Sequence, residues 1–82
     1  EVRRIEVKGR ARGQPIRLTP NEWMKARQLR DTYWLYVVWD PKVEGAKPVT
    51  IQDPAHKLEH AVRPVAATSY YEIAAEAIGK GP

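Results

Sequence analysis

Seven consecutive residues, Tyr33-Trp34-Leu35-Tyr36-Val37-Val38-Trp39, are all aromatic, β-branched or leucine, and nothing else in the chain constrains its fold as tightly. The run has the composition of a strand, and its lack of polar alternation predicts one buried on both faces, in the middle of a sheet. Upstream, Thr19-Pro20-Asn21-Glu22 is a nearly complete helix start. Thr19 is placed to cap, Pro20 suits the first helical position, and Glu22 closes a capping box three residues on. Leu18 and Trp23 occupy the positions of a hydrophobic staple, and the helix is expected over Pro20 to about Leu29. Further upstream, Arg4-Ile5-Glu6-Val7-Lys8-Gly9-Arg10 alternates as a strand does. Strand, helix and strand in that order predict a βαβ unit with parallel strands and a right-handed crossover.

Alternation along the first strand puts Ile5 and Val7 on one side, expected to enter a core, and Arg4, Glu6 and Lys8 on the opposite, polar side. The Cα atoms of Glu6 and Lys8 then lie roughly 6.6 Å apart, close enough for both side chains to converge on one ion or one phosphate. A carboxylate and an amine so placed are two of the groups that a metal-dependent phosphodiesterase requires, since Mg²⁺ takes hard oxygen ligands. The same pattern also describes a surface strand with one salt bridge.

The rest of the chain reads as shorter pieces. Gly9 to Pro15 is a flexible basic loop, and Ile16-Arg17-Leu18 extends briefly. Asp40 to Pro48 is a loop, Val49-Thr50-Ile51-Gln52 a short strand, and Asp53 caps a short helix with Pro54 at its first position. In the tail, Ser69-Tyr70-Tyr71-Glu72 resembles a capping box. Val65 to Tyr71 equally fits an edge strand ending near Ile73, and a strand followed by one or two helical turns is the favoured reading.

Eighty-two residues make a single domain, 1–82, with a thin core. The net charge of +4 is unevenly spread: residues 1 to 30 hold nine basic groups against three acidic, and the remainder five against seven. A positive half attracts polyanions, and Arg10, Arg12, Arg17, Lys25 and Arg27 are the candidates for contacting phosphates, arginine's planar fork being suited to them. A merely solvated basic face is the competing interpretation. There is no cysteine, which excludes disulfides and thiolate metal sites and fits a cytoplasmic compartment. No apolar run approaches the ~20 residues of a membrane-spanning helix, so no membrane partner is expected. The chain opens on a strand without an initiator Met, which suggests an excised start and an exposed strand edge able to pair with a second copy.

Other chemistry-bearing residues have structural explanations. Glu22 is accounted for by its capping box, and Trp23, Trp34 and Trp39 fit core packing, with only Trp39, at a strand end, open to exposure. His56 and His60 have the spacing of a helical metal pair but lack a third ligand. Asp31, Asp40 and Asp53 are poorly placed to join Glu6.

The blocks IEVKGRA, LTPNEWMKA, YWLYVV and IQDPA, in that order and spacing, resemble the NO VEIN carboxy-terminal domain family from Arg4 to about Leu58. That family is largely uncharacterised and is typically appended to helicase-like, ATPase or restriction-system proteins. It is itself similar to the PD-(D/E)XK nuclease superfamily. The resemblance implies an α/β, partial restriction-endonuclease-like fold: a mixed sheet of three to four strands with the βαβ unit and flanking helices, the carboxy-terminal part of a nuclease-like domain from a larger protein. It matches Glu6-Val7-Lys8 to the superfamily's E-x-K element, making Glu6 a Mg²⁺ ligand and Lys8 a catalytic group acting on DNA. The superfamily's second acidic residue has no counterpart on a preceding strand, so the fragment alone is expected not to cleave. The alternative is a catalytically silent DNA- or protein-binding module.

Overall fold

The computed structural model describes residues 2–67 and 69–79. Its elements are β1 (Arg4–Arg10), β2 (Ile16–Leu18), α1 (Pro20–Leu29), a 3₁₀ turn (Arg30–Thr32), β3 (Tyr33–Trp39), β4 (Val49–Gln52), α2 (Pro54–Lys57), β5 (Val62–Val65), β6 (Tyr70–Ile73) and α3 (Ala75–Ile78). The chain is a mixed α/β fold with the expected βαβ unit. The strands form two three-stranded sheets, in the orders β1-β3-β4 and β2-β6-β5. In the first, β1 runs parallel to β3 and β4 antiparallel to it, so the aromatic strand is central. The second is antiparallel throughout.

Helix α1 begins as its sequence dictates. The Thr19 hydroxyl accepts from the Glu22 N–H, and the Glu22 carboxylate accepts from the Thr19 N–H, satisfying two of the orphan donors at the helix start. Trp23 and Ala26 are the buried face of α1. They join one core with Leu35 and Val37 of β3, Ile51 of β4, and Ile16, Leu18 and Ile73 of the second sheet. Trp23 packs against Tyr71 with ring centroids 5.9 Å apart. Gly9 permits a close approach: a Cβ there would meet Pro41 Cγ at 3.0 Å, tighter than most side-chain contacts.

The structure reverses the two faces of β1. Ile5 and Val7 are 43% and 58% exposed, whereas Glu6 and Lys8 stand in register with the buried Leu35 and Val37. The cause is tertiary. β1 is an edge strand whose inward side lies beside the start of α1, and the polar pair meets a carboxylate there instead of water alone. Ile5 and Val7 share the outward side with Trp34 and Tyr36. For the same reason β3 is not buried on both faces: its residues alternate between buried and half-buried, the buried set facing the core shared with α1.

Two further positions are decided in favour of the core and of the strand. Trp39 is buried, 4% exposed, with its indole Nε1 donating to the Gly79 carbonyl at 2.6 Å. In the tail, Ser69 caps no helix; its hydroxyl donates to the Ala66 carbonyl in a turn that leads into β6, and a helical turn, α3, follows. β5, pairing antiparallel with β6, has no counterpart in the sequence reading. Among the described residues no helix is long and apolar enough to cross a membrane.

Candidate functional site

β1 and α1 bring three charged side chains together. Lys8 Nζ donates to Glu22 Oε1 at 2.8 Å and to Oε2 at 3.0 Å, and lies 3.8 Å from Glu6 Oε2. Glu6 and Lys8 are two positions apart on the inward side of an edge strand. The parallel crossover sets the start of α1 alongside the second half of that strand, and the capping box folds the Glu22 carboxylate back toward it. All three side chains are between a fifth and a quarter exposed, so the cluster is partly desolvated yet open to small ions.

The two carboxylates divide their charge unequally. Burial raises the pKa of Glu6 above its ordinary value, the neighbouring charge of Glu22 raises it further, and the Lys8 ammonium offsets only part of this. Burial pushes Glu22 upward too, but hydrogen bonds from Lys8 and the Thr19 N–H, with the ammonium's charge, outweigh it and hold Glu22 below the usual range. Glu22 is therefore the firm anion and Glu6 the first to take a proton. Tyr33, in register with Arg4, sits near the same cluster. Its phenol is pushed up to about 12 by burial and by the charges of Glu6 and Glu22. Its hydroxyl is buried without a hydrogen-bond partner.

Glu22 is the residue that the sequence reading set aside, and it supplies a second carboxylate from the helix that follows the Glu6 strand rather than from a preceding strand. The signal was available: a capping-box glutamate at the first turn of a crossover helix must lie near one of the strands that helix joins. Tyr33 carried no signal beyond its place in the aromatic run. Asp31, Asp40 and Asp53 stay apart from the cluster; Asp40 instead accepts from the Arg12 backbone N–H at 2.9 Å, and Asp53 caps α2. His56 and His60 are exposed, and the described residues hold no group of three or more His, Cys, Asp or Glu side chains suited to a metal. A Mg²⁺ ion retains several waters and needs only one or two carboxylates, which Glu6 and Glu22 can supply if Lys8 moves aside.

The five basic candidates are spread over β1, the loop after it, β2 and α1 and do not converge on one place. Arg10 Nε donates to the Pro15 carbonyl at 3.0 Å, and Arg12 Nε lies 3.5 Å from Asp40 Oδ2. Arg17 lies 3.7 Å from Glu72 Oε2 and stacks 4.7 Å from the Tyr70 ring centroid. Lys25 and Arg27 are on α1.

A small mixed α/β domain with an acid–lysine–acid cluster between an edge strand and the start of a crossover helix is the class that this fold and site define. The family model described as Protein NO VEIN, C-terminal, matches residues 1–51, which include Glu6, Lys8, Glu22 and Tyr33. The chain belongs to that family. Comparison with curated proteins and with solved structures gives no match.

Proposed function

We propose that this domain is a nuclease-like accessory module of a helicase- or restriction-associated DNA-processing protein, in which Glu6 and Lys8 contribute to a Mg²⁺-dependent phosphodiesterase site. The observation that supports this reading is the convergence of Glu6, Lys8 and Glu22 at one partly exposed place. Glu6 and Glu22 are the oxygen donors for the ion, and a bound Mg²⁺ there supplies charge stabilisation at a phosphate and a more acidic water. Lys8, once released from Glu22, presents an ammonium to a phosphate oxygen. The remaining donors come from outside this chain, in the larger protein.

Incubating the intact parent protein with linear and supercoiled DNA in Mg²⁺ or Mn²⁺ tests this reading. Cleavage abolished by Glu6→Gln and Lys8→Ala supports it, and equal cleavage by the wild type and both variants overturns it.

A second reading, a catalytically silent DNA- or protein-binding module, is favoured by a different observation. Lys8 is already held by both oxygens of Glu22, whose carboxylate also closes the helix cap, so the cluster is self-satisfied. This reading expects Mg²⁺-independent DNA binding that weakens with salt and on replacing Arg10 and Arg12 by Ala.

A further inference from the structure

Away from the Glu6 cluster, a cleft of about 430 Å³ separates the end of α1 from α2. One wall carries Arg27 and Arg30, the other Asp53 and Glu59, with Trp23 and His56 also lining it. The opposite charges do not close on one another. Among the described residues no ion pair or side-chain hydrogen bond engages Arg27, Arg30 or Glu59, and the Asp53 carboxylate accepts only from the backbone N–H of His56, at 3.4 Å. A cleft with cations on one side and carboxylates on the other fits a ligand that is itself two-ended, and its volume lies within the roughly 300 to 1,000 Å³ of small-molecule sites.

The backbone adds an independent observation. Arg30 has φ 51 and ψ −121, a conformation that glycine adopts freely and a side chain strains. The favourable placement of a cation at a helix carboxyl end accounts for Arg27, and it gives no reason for a strained arginine where glycine would be relaxed. Asp53, on the facing wall, also has positive φ, 52. Strain at a residue whose side chain lines a cleft is a common mark of a ligand-contacting position.

We propose that this cleft binds one nucleotide unit, its phosphate held by Arg27 and Arg30 and its sugar hydroxyls or base amines by Asp53 and Glu59. Arginine pairs give phosphate a forked, charge-assisted contact, and carboxylates accept from hydroxyl and amine donors. The unit is supplied either as a free mononucleotide or as one residue of a single strand.

Titration of the ¹⁵N-labelled chain with adenosine 5′-monophosphate, a short single-stranded DNA oligonucleotide and inorganic phosphate tests this. Saturable shifts are expected in residues 27–30 and 53–59, with affinity about tenfold weaker in Arg27→Ala and in Arg30→Gly. Arg30→Gly relieves the backbone, so it is expected to fold with a raised Tm while losing affinity, which separates lost binding from lost structure. Glu6→Gln, on the other cluster, leaves the titration unchanged, so failure here is distinct from failure of the proposed nuclease role. Tighter binding of the oligonucleotide assigns the source to a strand, and tighter binding of the monophosphate to a free nucleotide. Absence of saturation, retained affinity in Arg30→Gly, or inorganic phosphate binding as tightly as the monophosphate overturns the proposal.

Discussion

Lys8 and Glu22 are joined by a two-pronged contact, 2.8 and 3.0 Å, and the same Glu22 oxygen that makes the shorter bond accepts from the Thr19 backbone N–H at 2.8 Å. One carboxylate thus fastens the first strand to the first helix and starts that helix. Replacing Glu22 by Gln is expected to cost about 1–2 kcal/mol, the sum of a weakened capping box and a lost charge-assisted bond. A double-mutant cycle with Lys8→Met, read by urea unfolding, is expected to give a coupling of roughly 1 kcal/mol. Additive effects of the two changes would refute the linkage.

The acid side of the stability profile separates the two glutamates. Glu22 has a lowered folded pKa, so its contribution is present above the ordinary carboxylate value and is lost as pH falls through the folded one. Glu6 has a raised folded pKa, so its contribution is present below the ordinary value and lost as pH rises. At neutral pH Glu6→Gln is therefore expected to raise Tm and Glu22→Gln to lower it, with both differences shrinking in acid. Thermal melts across that range decide the matter.

Tyr33 governs the alkaline limb. Its phenol titrates at about 12 against an ordinary value of 10.0, so the unfolded chain releases this proton first and stability falls across that interval as pH rises. Tyr33→Phe is expected to flatten this fall. At neutral pH it should cost little, because the buried hydroxyl has no partner to lose. Chemical denaturation at neutral and alkaline pH measures both effects.

The outward side of β1 predicts an inversion of the usual response to apolar substitution. Ile5→Thr and Val7→Thr are expected to change stability by no more than about 0.5 kcal/mol, as at ordinary surface positions. Leu35→Ala, one strand inward and fully buried, is expected to cost roughly 2–5 kcal/mol. Equal losses at Val7 and Leu35 would contradict the observed orientation.

What could be seen in the sequence was what is decided locally. The capping box at Thr19 and Glu22, the proline at the start of α1 and the aromatic run of β3 act within a few residues of themselves, and each element formed where those signals placed it. The orientation of β1 was not local. Alternation separates Ile5 and Val7 from Glu6 and Lys8, but which set turns inward depends on what packs against each side, and the inward neighbour was a charged helix start. β5 is weakly marked, since a proline argues against a strand; Pro64 is tolerated because β5 lies at the margin of its sheet. Glu22 was visible as a cap, while its second role required the crossover to bring it beside Lys8.

The bond from Trp39 to Gly79 ties the end of α3 to the end of the central strand, forty positions earlier. A helix of a single turn has little stability of its own, yet here its departure strips a buried indole of its acceptor. Loosening of α3 and loosening of the parallel ribbon are thereby made a single cooperative event, with one indole serving as the clasp.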